Sequence, residues 1–115
     1  FMLNITANQL SAVTIMTFGQ MQNIKNIETL LNNILKEVIE IAQKENINNP
    51  EKIAQQAINS FMHLAPYGKT SMLQDIENTR PTELEAFAGT IIKLGKQHNI
   101  KTPYNNLFMY LLKNA

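Results

Sequence analysis

No cysteine occurs among the 115 residues, which excludes disulfides, a thiolate zinc site and a thiol nucleophile, and leaves the fold to rest on packing alone. Long apolar runs are missing as well: none approaches the roughly 20 residues that a membrane-spanning helix needs. Charge of one sign is not concentrated anywhere. The net charge is +1, and acids and bases alternate, as in Lys36-Glu37 and Lys44-Glu45, so the basic stripe that engages a phosphate backbone is lacking and nucleic acid is not an expected partner. No membrane partner is expected either. The start, Phe1-Met2-Leu3-Asn4, carries neither the basic region nor the cleavage site of a signal peptide, although an excised piece could not show its parent's leader. There is no Gly-rich phosphate loop, and no segment reads as a strand.

What is present reads as helix after helix. Hydrophobic residues make up 44% of the chain and charged residues 17%, a balance that suits a soluble folded unit rather than a disordered tail. The length fits one compact domain over residues 1–115. A first helix is expected from Phe1 to about Met16, ended near Phe18-Gly19. Ile24, Ile27, Leu30, Leu31, Ile34, Leu35, Val38 and Ile41 then recur at three- and four-residue intervals, the mark of an amphipathic helix with a wide apolar face. Asn49-Pro50 predicts a helix start with Asn as cap and Pro in the first turn, carrying Ile53, Ala54, Ala57, Ile58, Phe61 and Met62 until Ala65-Pro66-Tyr67-Gly68 breaks it. A short helix is predicted from Ser71 to about Asn78. The next opens at Pro81 and Thr82, with Thr82 and Glu85 spaced as a capping box, and the last starts at Thr102-Pro103. Short links between amphipathic helices imply an all-α class, a compact helical bundle.

Some polar residues lie where a ligand could use them. Asn4 and Asn8 are one turn apart on the first helix, and Ser11 continues their face among Leu3, Ile5, Leu10 and Val13. Either these amides bond neighbouring helices, as buried polar groups usually do, or they offer donors and an acceptor to a small polyoxygenated acid. Ser71 stands at a helix start, where Thr70 or Ser71 serves as cap and where unpaired N–H groups attract an anion. Glu83 sits in the first turn of its helix, where the dipole favours a carboxylate. Asp75 and Glu85 read as solvated or capping residues. His63 and His98 have no companions at metal-ligand spacing, so no metal site is expected. Asn4-Ile5-Thr6 matches the glycosylation tripeptide, which inside a helix carries no information.

Three blocks, Asn4-Ile5-Thr6-Ala7-Asn8, the run Ser71-Met72-Leu73-Gln74-Asp75 continuing through Arg80-Pro81-Thr82-Glu83, and Thr102-Pro103-Tyr104-Asn105, together resemble the C-terminal domain of ketopantoate reductases (2-dehydropantoate 2-reductases). The resemblance covers nearly the whole chain and keeps the order and approximate spacing of the blocks. It implies an NADPH-dependent oxidoreductase of pantothenate and coenzyme A synthesis, cytoplasmic, whose cofactor is bound mainly by an N-terminal Rossmann domain not contained in these residues. It further implies that the lysine protonating the substrate ketone stands immediately before Phe1, that Asn4 and Asn8 bind the hydroxyl and ketone region of ketopantoate, and that Ser71 binds its carboxylate. Glu83 is then the catalytic glutamate, near the lysine and the nicotinamide end of the cofactor. By the same resemblance the Rossmann domain is a partner, a homodimer is allowed, and the 115 residues alone should not turn over. One position departs from the pattern: Phe18 stands where some members place a substrate-contacting asparagine. That ring leaves open a relative reducing a different branched 2-oxo acid, and a helical interaction module that has kept the fold without the chemistry is the other alternative.

Overall fold

A computed structural model describes residues 2 and 4–113, without the side chain of Asn4. Among the described residues the elements are seven α-helices and two π turns, with no strand. The longest helix, α3 (Ile27–Lys44), forms because its apolar positions fall on one wide face: Ile27, Leu31, Ile34, Leu35, Val38, Ile41 and Ala42 are all buried. Against it lie α4 (Pro50–Met62), α6 (Thr90–Gln97), α7 (Pro103–Lys113) and a π turn over Asn4–Asn8. Ile5, Ile34 and Phe61 have no exposed surface, and burying one such side chain stabilises the fold by about 1.5–3 kcal/mol.

The first helical segment is wider than an α-helix at its beginning. The π turn Asn4–Asn8 runs into α1 (Gln9–Thr14), which stops at Ile15 because that residue takes a left-handed conformation, φ 57°. A second π turn, Glu85–Gly89, feeds α6 in the same way, and the two π turns touch. At both, side chains donate to carbonyls four residues back: Thr6 Oγ1 to Met2 O at 2.6 Å within the first turn, and, from the residue just after each turn, Gln9 Nε2 to Ile5 O at 2.9 Å and Thr90 Oγ1 to Ala86 O at 2.6 Å. Such back-bonding competes with the regular backbone ladder and widens or bends the helix locally.

Several boundaries differ from the sequence expectation. Phe18-Gly19 does not end the first helix; it opens a separate short helix, α2 (Phe18–Gln22), which Thr17 and Gln20 secure with a reciprocal capping box. Asn49 precedes Pro50 as expected, yet its side chain caps nothing, because its backbone is left-handed at φ 48°. The helix expected to open at Pro81 begins only at Leu84. Thr82 Oγ1 accepts from Leu84 N at 3.3 Å, and Glu85 pairs with Lys113 Nζ at 3.6 Å instead of completing a box.

A buried polar network fixes α7. Glu37 is only 5% exposed, and its carboxylate accepts from Tyr104 N at 2.7 Å, Asn105 N at 3.2 Å and Asn105 Nδ2 at 2.8 Å. Asn105 Oδ1 in turn accepts from Gln9 Nε2 at 3.3 Å. An anion placed on first-turn N–H groups is favourable both as acceptor and through the dipole. The network therefore ties α3, α7 and the start of α1 together. None of the described helices is long and apolar enough to cross a membrane.

Candidate functional site

The site forms where the first helical segment meets α5 (Ser71–Glu77). Thr70 is the cap of α5: its Oγ1 accepts from Leu73 N at 3.1 Å. The Thr70 hydroxyl also shares a short hydrogen bond with Ser11 Oγ, which lies near Asn8 O at 2.9 Å. Asn8, 7% exposed, turns its Oδ1 toward the same helix start. There it accepts from Ser71 Oγ and from Met72 N, each at 3.3 Å. Asn8 and Ser71 are thus joined across 63 residues of sequence.

These bonds change the expected chemistry of the helix start. The N–H groups of Met72 and Leu73 are taken by Asn8 and Thr70, so α5 does not offer them to an anion. What remains for a ligand is the Nδ2 edge of Asn8, since an amide engaged through its oxygen is oriented to donate through its nitrogen, and the exposed Ser71 hydroxyl, which has lone pairs to spare but commits its one proton to Asn8 Oδ1.

Two hollows flank Ser71. The first, about 240 Å³, is lined by Ala7, Asn8, Phe18, Leu64, Lys69, Thr70 and Ser71. The second, about 280 Å³, is lined by Ser71, Met72, Asp75, Pro81, Glu83 and Phe87. Ser71 belongs to both, so a molecule in one hollow lies beside a molecule in the other. Asp75, expected in solvent, lines the second hollow with Glu83 and is held by Arg80 Nε at 3.1 Å.

Phe18 is a fixed wall. Its N–H donates to Gly68 O at 2.9 Å, and the next N–H, of Gly19, donates to Pro66 O at 2.7 Å. The ring meets Phe61 edge-on with centroids 6.4 Å apart. Gly19 is required for this approach, since a Cβ there would come within 2.7 Å of Pro66 Cβ.

The structure thus gathers Asn8, Ser71 and Glu83, three of the four site residues expected from sequence, around adjoining hollows. The backbone of Asn4 begins the π turn that ends with Asn8; its side chain lies outside the described residues. Sequence reasoning missed Lys69 and Thr70 as lining residues, although both sit directly before Ser71. It also missed the part of Ser11, which is buried against Thr70 instead of continuing a ligand-facing ridge.

The ketopantoate reductase PanE/ApbA C-terminal family model matches residues 1–115. The chain belongs to this family. Among individual relatives, a 2-dehydropantoate 2-reductase from Vibrio cholerae is 30% identical over 80 residues, 70% of this chain and 27% of that protein. One from Aquifex aeolicus is 26% identical over 114 residues, 96% of this chain and 36% of that protein. The chain therefore spans about a third or less of these relatives. A dimeric ketopantoate reductase from Staphylococcus aureus superposes with a TM-score of 0.88 at 27% identity, over 98% of this chain and 39% of that one. A D-mandelate dehydrogenase solved with NADH and anilino(oxo)acetate gives the same TM-score at 23% identity, over 98% of this chain and 38% of that one, a likeness of fold. The all-α bundle is thus the architecture of the ketopantoate reductase C-terminal family, and the relatives named for an activity are oxidoreductases.

Proposed function

We propose that this chain is the helical substrate-binding and dimerisation domain of an NADPH-dependent 2-dehydropantoate 2-reductase, reducing ketopantoate to pantoate in pantothenate and coenzyme A synthesis. The enzyme is cytoplasmic, and an N-terminal Rossmann domain completes it. The observation that carries the reading is the pairing of Asn8 with Ser71 beside one hollow while Glu83 lines the next.

The chain's own groups fit the two ligands. Asn8 Nδ2 donates to the oxygens of a 2-oxo acid, the Ser71 hydroxyl turns its proton from Asn8 Oδ1 to the acid as it binds, and Asn4 binds the hydroxyl and ketone region with them. The second hollow has an acidic edge, Asp75 and Glu83, and an apolar one, Met72, Pro81 and Phe87, which suits the flat face of a nicotinamide and the ammonium of the lysine expected before Phe1. Bound NADPH supplies a hydride to the ketone carbon. Glu83 holds the proton-donating ammonium in its charged form and in place, and Ser71, shared by both hollows, fixes the carboxylate end so that the ketone faces the second hollow. Without the lysine and the Rossmann domain, the 115 residues alone do not turn over.

A second reading, favoured by the fixed Phe18 ring in the substrate hollow, is reduction of a different branched 2-oxo acid by the same groups. The test is NADPH oxidation by the full-length protein and its Glu83→Ala variant, with ketopantoate against a panel of 2-oxo acids. Preference for ketopantoate, with turnover lowered about 100-fold or more in the variant, supports the first reading. Activity on another acid alone selects the second, and no activity on any of them leaves the interaction module.

A further inference from the structure

Lys69 is the cation of the substrate hollow, and in this structure it is turned away. It directly precedes Thr70 and Ser71 and lines the same hollow as Asn8 and Phe18, yet its Nζ lies 3.1 Å from both carboxylate oxygens of Glu77, at the far end of α5. The two side chains are 41% and 35% exposed. An ion pair so exposed is held weakly, because water screens the attraction and two long side chains lose rotamer freedom to keep it. The α5 N–H groups nearest the hollow are occupied by Asn8 and Thr70. The donors a carboxylate could use there, Asn8 Nδ2 and a Ser71 hydroxyl that must first release Asn8 Oδ1, are neutral, and a monoanion entering a part-buried hollow needs a compensating charge.

We propose that Lys69 is a swinging specificity residue: it leaves its exposed pair with Glu77, rotates toward Ser71 and pairs with the carboxylate of the incoming 2-oxo acid. The inference rests on the reading of this hollow as the 2-oxo acid site. It makes Lys69 responsible for preferring acids over neutral ketones, and Glu77 the competitor that sets how readily the lysine is released. Lys69 pairs with the carboxylate and delivers no proton to the neighbouring ketone oxygen, so its effect falls on binding before the chemical step.

Steady-state kinetics of the full-length reductase test this, with the preferred 2-oxo acid and its primary amide compared in wild type, Lys69→Met, Lys69→Arg and Glu77→Gln. Losing a charge-assisted hydrogen bond corresponds to about 10- to 100-fold. Lys69→Met is therefore expected to raise KM for the acid by that factor, with kcat within about twofold and the amide unaffected. Lys69→Arg should recover most of the loss, and Glu77→Gln should lower KM for the acid two- to threefold. Equal effects of Lys69→Met on acid and amide, or an unchanged KM for the acid, would overturn the role of Lys69 while leaving the 2-oxo acid reading intact. A wild-type enzyme inactive on every 2-oxo acid would instead remove that reading and this inference with it.

Discussion

Two polar clusters, both anchored at a helix start, stitch distant parts of this chain together, and they finish differently. Around Glu37, a buried carboxylate, two backbone N–H groups, a buried asparagine and the Gln9 amide nitrogen bond one another at the start of α7, with Gln9 Oε1 left as a buried acceptor without a partner among the described residues. Around Ser71, the pairs Ser11–Thr70 and Asn8–Met72 N close the inner half of the cluster, and its outer half faces two hollows. The first cluster spends its donors inside the protein. The second keeps the Asn8 Nδ2 edge for something else, beside an exposed hydroxyl and a weakly paired cation. Burial of polar groups therefore does not separate scaffold from site here; the direction in which the unused donors point does.

The largest effect that could break this contrast is on stability. Glu37→Ala strands two backbone donors and an amide in the interior, so a loss on the order of 3 kcal/mol is expected in chemical denaturation of the 115-residue chain. A loss below about 1 kcal/mol would mean that water takes over the cap and that the network is no more closed than the site. Asn8→Ala comes next and sharpens the other half. Activity of the full-length enzyme should fall about 10- to 100-fold through KM or turnover, while stability drops by only about 1 kcal/mol for the single backbone donor left unpaired. A collapse of folding without a separable kinetic defect would move Asn8 to the scaffold. Smallest is Glu85→Gln, which removes the exposed pair with Lys113; stability and activity should both stay within about 0.5 kcal/mol of wild type. A larger change would show that the second π turn depends on that pair.

The helices were legible because their apolar spacing is regular, and α3 illustrates this best. Its one buried charge was passed over: Glu37, read only as half of an alternating Lys36-Glu37 pair, lies three residues after Ile34 and four before Ile41, inside the apolar stripe, where a carboxylate needs a buried partner. The capping box at Thr17 and Gln20, a Thr followed three residues later by Gln, was likewise missed because Phe18-Gly19 read as a helix end. Other features had no local signal. Left-handed Asn49 replaces a side-chain cap by a backbone conformation, and composition does not distinguish the two. The π turns carry back-bonding side chains that many regular helices also carry, and their mutual contact joins Asn4–Asn8 to Glu85–Gly89, which no single window of sequence contains. For the site, Asn8, Ser71 and Glu83 came from the pattern of a family. Lys69 was overlooked because a lysine beside a cap looks like any surface lysine until the hollow next to it is seen.

The π turn at Asn4–Asn8 also sets a reading frame. One turn there holds a residue more than an α turn, so losing one of these five residues would let it close to α-helical width with its flanks near their places, whereas a residue lost from a regular helix turns everything before it by about 100° and shifts it by about 1.5 Å. The same loss inside α1 (Gln9–Thr14) would therefore carry Asn8 away from Ser71. Single-residue deletions on the two sides of Asn8 should differ sharply in their effect on activity.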